Sequence, residues 1–231
     1  MNILGLIPAR SGSQELKNKN LLKINGKTLL EIALQEAKKS KYINKVFLST
    51  DSKSYKTILK KLKIENDYIR PKKLASNKAS IYDVARHAVK WFEGQNYEID
   101  YVVILQPTTP FRTAKDIDKV IKKLIKSNAD SAISITKVRY PVHWMLKLNR
   151  KKLINSLFPK GNRYIRRQDA PKYFKPSGAI YVLKKSLLKE IKYLLPTKNT
   201  IGIEMPQMKS INIDTKLDYL MAKELSKHND I

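Results

Sequence analysis

The chain has 231 residues, of which 47 are lysine or arginine and 20 are acidic, giving a formal net charge of +27. It lacks cysteine, which excludes disulfides and thiolate metal sites, and it has no apolar run long enough to span a bilayer. The excess charge is mostly lysine spread along the sequence, so it predicts weak, salt-sensitive attraction of polyanions and no specific nucleic-acid site. The N-terminus is predicted to be a strand and not a signal peptide, and the expectation is a soluble cytoplasmic protein without membrane association.

In chain order, the first predicted element is a buried strand from Ile3 to Ile7, which breaks at Pro8 into a polar loop. This loop contains Arg10, Ser11, Gly12 and Ser13, and Lys17, Lys19 and Asn20 follow within a few residues. Backbone N–H groups, hydroxyls and cations at the end of a strand favour an anion such as phosphate. An ordinary basic turn is the alternative, and the loop alone does not decide between them.

The following segments alternate between helical and strand patterns. Capping boxes predict three helix starts, at Thr28 with Glu31, Ser80 with Asp83, and Thr113 with Asp116. A basic helix is predicted near residues 55–62, a closing helix from Thr215, and strands at residues 45–50, 101–105, 131–135, 179–183 and 210–213. This alternation predicts an α/β fold with a mainly parallel sheet covered on both faces, whereas the weak periodicity of residues 138–176 predicts an arm or small subdomain.

Ligands of parallel α/β sheets bind beyond the carboxyl ends of strands, where this chain places further polar clusters. These are Thr50-Asp51, Arg70-Pro71 and the segment from Gln106 to Arg112. On the predicted strand 210–213, the two-residue period places Asn212 and Asp214 on one face, where their oxygens suit Mg²⁺. Three of these have a structural alternative: Arg70 as a solvated arginine, the Gln106 segment as a proline-rich turn, and Asp214 as a cap of the last helix.

Taken together and in order, these motifs resemble the acylneuraminate cytidylyltransferase family, which comprises the CMP-sialic acid synthetases and their relatives. The matching segments are residues 7–13, Lys19-Asn20, Ser49-Thr-Asp51, Arg70-Pro71, residues 105–112, Arg166-Arg-Gln168, residues 176–181 and Ile213-Asp-Thr215. The resemblance implies a three-layer nucleotidyltransferase fold, one domain over residues 1–231 and a homodimer formed through an arm at about residues 138–176. The implied reaction transfers CMP from CTP to the anomeric hydroxyl of an acidic nine-carbon sugar and releases pyrophosphate.

The resemblance also implies roles for individual residues. Catalysis would fall to Lys19, Arg10 and Asp214, with Lys19 on the α-phosphate. The nucleotide would be bound by Arg10, Ser13, Asn20, Arg70 and Gln106, and the sugar by Arg167, Gln168, Ser177 and Tyr181. Asp214 and Asn212 would hold Mg²⁺ as the cofactor.

Two departures from the family pattern matter. The family commonly has Lys-Gly where this chain has Gln14-Glu15, so a phosphate-binding cation is lost and a negative charge is gained. The Asp-x-Asp motif of the family is Asn212-Ile-Asp214 here, with one carboxylate fewer. Two alternatives stay open within the family's chemistry: a nucleotidyltransferase for an eight-carbon acid or a sugar 1-phosphate, and an impaired relative that only binds nucleotide. The basic charge adds a third, a nucleic-acid-binding protein, which no recognition motif supports.

Overall fold

A mixed sheet forms the centre of the molecule in this computed structural model, which describes residues 1–12, 15–158, 166–191 and 197–228. The described strands are β1 (Ile3–Pro8), β2 (Lys23–Ile24), β3 (Lys27–Thr28), β4 (Lys45–Ser49), β5 (Tyr101–Ile104), β6 (Ser131–Lys137), β7 (Leu146–Leu148), β8 (Ile154–Ser156), β9 (Phe174–Lys184) and β10 (Thr200–Glu204). The described helices are α1 (Leu29–Lys39), α2 (Lys56–Lys61), α3 (Ile81–Glu93), α4 (Ala114–Lys126) and α5 (Lys216–Leu225).

Over the described residues, the main sheet has six strands in the order β10-β6-β9-β5-β1-β4. Strand β1 pairs in parallel with β4 and β5, and β10 pairs in parallel with β6. Strand β9 enters between β5 and β6 and is antiparallel to both. The carboxyl ends of β1, β4 and β5 therefore meet at one edge of the sheet, which is where the predicted polar clusters follow these strands.

The sheet is covered on both faces, as the alternation predicted. Side chains of β1 alternate between the two cores, since Ile3 and Ile7 pack with the buried stripes of α1 and α4. Leu4 and Leu6 face the opposite core, which contains the buried side of α3. The three predicted capping boxes are present at the starts of α1, α3 and α4, and a fourth begins α5. The predicted three-layer α/β fold is confirmed.

One predicted strand is wrong. Residues 210–213 form no strand, because Ser210 ends a short 3₁₀ turn that spans Met208–Ser210. Among the described residues, the Ile213 N–H donates to the Thr108 carbonyl at 2.8 Å. The edge position beside β6 belongs instead to β10, which the sequence pattern did not predict.

The segment predicted as an arm contains a small antiparallel hairpin of β7 and β8, which lies outside the main sheet. Its strands expose large apolar side chains that include Leu146, Leu148 and Ile154. Residues 159–165 of the arm lie outside the described part of the chain. In the described residues, no helix is long and apolar enough to cross a membrane.

Candidate active site

The main candidate site is a cavity of about 500 Å³ at the carboxyl ends of β1 and β5. Its charged and amide-bearing wall brings together most of the residues predicted for nucleotide binding and catalysis. These lining residues are Arg10, Lys19, Asn20, Arg70, Gln106 and Asp214, together with Glu15 and Asn77. Ser13, which was predicted to bind nucleotide, and Gln14 lie outside the described residues.

The loop after β1 is held by side chains from three directions. The buried Asn20 donates its amide N–H to the Arg10 carbonyl at 3.0 Å. The Arg10 guanidinium donates to the Asn77 side-chain oxygen. On the other side of the loop, Ser11 donates both its backbone N–H and its hydroxyl to the carboxylate of Asp51. Asn20 thus supports the loop from within, and Arg10 is the side chain that lines the cavity.

Arg70 is a buried cation in the cavity wall. Its guanidinium donates to the Ser49 hydroxyl at 2.9 Å and to the Ser49 carbonyl, which fixes it at the end of β4. Burial lowers the pKa of Arg70 to about 10, so the side chain is still charged at neutral pH. A buried guanidinium held this way offers a pre-oriented partner for a phosphate or a base.

Gln106 begins the turn after β5 and lines the cavity. The turn is fixed from behind by Arg112, whose guanidinium donates to the Gln106 carbonyl at 3.0 Å and to the Ala179 carbonyl at 2.8 Å. Burial lowers the pKa of Arg112 to about 10, and this arginine faces the core. Arg112 therefore shapes the turn, whereas Gln106 lines the cavity with an amide that can both donate and accept.

Lys19 and Asp214 form an ion pair across the cavity, with the ammonium nitrogen 2.8 Å from Oδ1 of the carboxylate. The second carboxylate oxygen accepts from the Asn212 amide at 2.5 Å. Asn212 and Asp214 thus meet, as predicted, although they are not on a strand. Thr215 and not Asp214 caps α5, so the structural alternative for Asp214 is wrong.

A second cavity of about 580 Å³ adjoins the first, and both cavities are lined by Gln106 and Asp214. Ser177 and Tyr181, two of the predicted sugar-binding residues, lie in its wall. Lys175 also lines it and was missed by the sequence analysis, although it directly precedes the Pro176-Ser-Gly segment that was singled out. Two compartments therefore meet beside the Lys19–Asp214 pair.

A bulge in β9 shapes this second cavity. The register between β6 and β9 shifts near Ile133 and Ile135, opposite Ser177 and Gly178. The buried Ser134 hydroxyl lies 2.6 Å from the Ser177 hydroxyl and accepts the Ile180 N–H at 2.8 Å. Gly178 has a φ of +79°, a conformation that other residues rarely adopt. Ser177 thus helps to hold the bulge, and its buried hydroxyl is already engaged.

Arg167 and Gln168, the other two predicted sugar-binding residues, do not line this second cavity. They line a separate cavity of about 340 Å³ at the base of the arm, together with Lys137, Arg139 and Lys172. A single chain therefore does not bring the four predicted sugar-binding residues together. The arm cavity is rich in cations, which suits an anionic group.

The donors near Asp214 fit a hard cation such as Mg²⁺. Asp214 offers a half-exposed carboxylate, and the buried Oδ1 atom of Asn212 has no hydrogen-bond partner among the described residues. Within the same part of the chain, no three His, Cys, Asp or Glu side chains cluster into a closed metal site. An ion there would need further oxygen ligands from a substrate or from water, as is usual for Mg²⁺ bound with phosphates.

The fold and the site together define a class of protein. Cations at the ends of parallel strands, in a cavity that opens into a second polar compartment, are suited to group transfer from a phosphorylated nucleotide.

Comparison with known sequences identifies the family. A family model described as "Cytidylyltransferase" matches residues 4–227, and the chain belongs to this family. The chain is 28% identical over 221 residues to an N-acylneuraminate cytidylyltransferase of Escherichia coli, covering 95% of this chain and 51% of that protein. It is 26% identical over 229 residues to a pseudaminic acid cytidylyltransferase of Campylobacter jejuni, covering 99% and 98%. A CMP-N,N'-diacetyllegionaminic acid synthase of Legionella pneumophila is 28% identical over 233 residues, covering 99% and 98%.

The chain thus spans about half the length of the Escherichia coli relative and nearly all of the other two. Solved structures agree on the fold. A CMP:2-keto-3-deoxy-manno-octonic acid synthetase complexed with CTP superposes with a TM-score of 0.66 at 18% identity, covering 97% of this chain and 100% of that chain. A 4-diphosphocytidyl-2C-methyl-D-erythritol synthase from Anaerococcus prevotii gives 0.68 at 16% identity, covering 98% and 96%. The resemblance inferred from the motifs is therefore confirmed.

Proposed function

We propose that this protein transfers CMP from CTP to a hydroxyl of a nonulosonic acid and releases pyrophosphate. The observation that carries the proposal is the junction of two cavities at Gln106 and Asp214, beside Lys19. A nucleotide in the first cavity would place its α-phosphate at this junction, next to an acceptor in the second. The names of the relatives, which concern N-acylneuraminic, pseudaminic and legionaminic acids, support a nonulosonic acid as the acceptor class.

The residues suit in-line displacement at phosphorus. The acceptor oxygen forms a bond to the α-phosphorus as the bond from that phosphorus to the bridging oxygen breaks. Pyrophosphate leaves with the bridging oxygen, and the proton of the acceptor hydroxyl passes to solvent. Negative charge grows on the phosphate oxygens, so pre-oriented cations lower the barrier. Arg10 and Arg70 would hold the triphosphate and nucleoside, and Lys19 would stabilise the charge at the α-phosphate.

Mg²⁺ belongs to the same proposal. Asp214 and Asn212 would hold the ion, which when bound neutralises phosphate charge and polarises the attacking hydroxyl. Because Lys19 is paired with Asp214 in the structure, loading the site requires Lys19 to exchange its carboxylate partner for a phosphate oxygen.

The proposal is tested by a substrate panel. Purified protein with CTP and Mg²⁺ should release pyrophosphate with at least one nonulosonic acid, and UTP or GTP in place of CTP should give little. Lys19→Ala should lower kcat by about 10²–10³-fold, the scale of losing one transition-state donor. Lys27→Ala removes the same charge from an exposed side chain outside this loop and is the matched control. An eight-carbon acid in the same panel covers the related-enzyme alternative, and turnover confined to it would displace the nonulosonic proposal.

A second candidate function is nucleotide binding without turnover, and the position of Glu15 favours it. This carboxylate lines the same cavity as Arg10 and Lys19, where it opposes the approach of a triphosphate. Replacing Gln14 and Glu15 by Lys-Gly separates CTP binding without turnover from CMP transfer. If the double variant turns over CTP while the unaltered protein only binds it, the binding function is correct.

We further propose that the protein is a homodimer in which each arm serves the partner's site. The separation of Arg167 and Gln168 from Ser177 and Tyr181 within one chain supports this arrangement. An arginine from a second copy could then pair with the carboxylate of the acidic sugar.

A further inference from the structure

Asp51 follows β4 and joins the strand to the loop after β1. Its Oδ1 atom accepts the Ser11 N–H at 2.8 Å, and its Oδ2 atom accepts the Ser11 hydroxyl at 2.7 Å. One carboxylate thus satisfies both donors of Ser11 and fixes its backbone and its side chain together. The Thr50-Asp51 pair was noted in the sequence as a polar strand end, but the proposed reaction gives Asp51 no role.

The loop has little other support at this position. The last backbone hydrogen bond before it runs from the Ala9 N–H to the Ser49 carbonyl at 2.9 Å. Between described residues, no backbone–backbone hydrogen bond outside the strands involves Arg10, Ser11 or Gly12. The conformation of the loop therefore depends on side chains, and Asp51 is the charged one among them.

The surroundings keep Asp51 ionised. Burial alone would raise the pKa of its carboxyl, but the two Ser11 donors and the nearby Arg70 guanidinium outweigh burial and lower that pKa. At neutral pH the group therefore acts only as an acceptor. Asp51 thus holds the loop through Ser11, while the charge of the nearby Arg70 favours its ionised form.

We propose that Asp51 is a positioning residue of the nucleotide site, which acts through Ser11 to hold the loop of residues 10–12 so that Arg10 faces the cavity. The inference rests on the proposed function, since it concerns the affinity for CTP. Simple electrostatics predicts the opposite effect, because removing a carboxylate near a triphosphate should tighten binding. The sign of the change in CTP affinity when Asp51 is replaced therefore decides between a positioning role and simple repulsion.

The test is the dissociation constant of CTP with Mg²⁺ for the full chain and its variants, measured by calorimetry. Asp51→Ala should weaken CTP binding by about tenfold, the loss expected for charge-assisted hydrogen bonds. Asp51→Asn keeps one acceptor and should fall between Asp51→Ala and the unaltered protein. Asp67→Asn removes an equally negative but exposed side chain nearby and should leave the affinity unchanged.

A double-mutant cycle supplies the second arm. Ser11→Ala keeps the N–H bond and should weaken CTP binding less than Asp51→Ala, with no added loss when the two are combined. It also keeps the proposal testable if Asp51→Ala fails to fold. Among folded variants, the KM for CTP should rise while that for the sugar does not, which a general loss of stability would not produce.

The outcomes separate the two proposals. Equal or tighter CTP binding by Asp51→Ala, with the unaltered protein binding CTP, overturns the positioning role alone. No CTP binding by the unaltered protein overturns the proposed function and this inference with it.

Discussion

At the residue scale, the Lys19–Asp214 pair links the cation assigned to the α-phosphate with the carboxylate assigned to the metal. Asp214 is 49% exposed, so the pair contributes little to stability. The ion pair instead affects CTP binding, because in the absence of metal each CTP molecule must compete with Asp214 for Lys19.

Asp214→Asn should therefore bind CTP more tightly than the unaltered protein when a chelator removes Mg²⁺, by several-fold, since Lys19 is released. The same variant should lose most of its turnover with Mg²⁺ present. Glu15→Gln removes one negative charge from the same cavity, but Glu15 forms no ion pair with Lys19 among the described residues, so this variant measures how much of the change comes from reduced repulsion alone. CTP affinity and turnover are both measured during a titration with EDTA. Weaker metal-free CTP binding by Asp214→Asn would contradict the exchange of Lys19 from Asp214 to a phosphate oxygen.

Much of the candidate site could be predicted residue by residue, because Arg10, Lys19 and Gln106 follow predicted strands or their loops. Strands of a parallel sheet end at one edge, so the placement needed only the strand pattern. Asn20 is different, since it is buried and donates to a carbonyl, which no sequence pattern distinguishes from ligand binding. The cavity that Arg167 lines could not be predicted either, because the arm has no regular hydrophobic pattern from which the direction of a side chain can be inferred.

At the element scale, α1 depends on a local charge arrangement that can be tested by pH. Glu31 accepts from Lys61 at 2.7 Å and from the Thr28 N–H at 2.7 Å, which closes the capping box. The Lys61 hydrogen bond and then the Thr28 N–H are the main causes that lower the pKa of Glu31 from 4.5 to about 2. The ionised carboxylate therefore stabilises the folded state.

Glu31→Gln should lower the free energy of unfolding at pH 7 by about 1 kcal/mol, the usual scale for a helix cap. Because the folded pKa lies below the ordinary value, the stabilisation is full above pH 4.5 and is lost as the pH falls toward 2. Urea unfolding across this range should show the difference between the two proteins shrinking with acidity. Glu224→Gln alters an exposed pair on α5 and should change little at any pH. A Glu31→Gln deficit that grows in acid would refute the capping role.

The helices were predictable because their signals are local. A hydroxyl and a carboxylate three residues apart define a helix start without reference to the rest of the chain, as at Thr113 and Asp116. Strand pairing is not local. Residues 210–213 have a strand-like pattern but pair with no strand in the described part of the chain. In contrast, β10 pairs with β6 although Gly202 interrupts its strand pattern.

At the scale of the whole molecule, the arm combines exposed apolar surface with strong positive charge. Leu146, Leu148 and Ile154 are all more than half exposed. Residues 138–176 carry eleven lysines and arginines against one acidic residue, Asp169. An arm-to-arm dimer would bury the apolar surface and bring like charges together, so screening should strengthen it.

The dimer should therefore be tighter at about 0.5 M salt than at about 0.05 M salt, where the Debye length is longer. Ile154→Asp should abolish it. Leu217→Asp on α5 is the matched control, because Leu217 is 66% exposed and Ile154 is 64% exposed. Sedimentation velocity at both salt concentrations gives the answer. A monomer under all conditions would contradict the proposed dimer. A dimer lost in Leu217→Asp but kept in Ile154→Asp would show that the arm does not form the interface.

The measurement that tests the central claim most directly is the identity of the product. The unaltered protein, incubated with CTP, Mg²⁺ and a panel of nonulosonic acids, should form a compound whose mass equals that of CMP joined to one of the acids with loss of water. Its appearance should match pyrophosphate release mole for mole and should be nearly absent in Lys19→Ala. If a folded protein that binds CTP forms no such compound with any acid of the panel, the account of the two joined cavities is wrong.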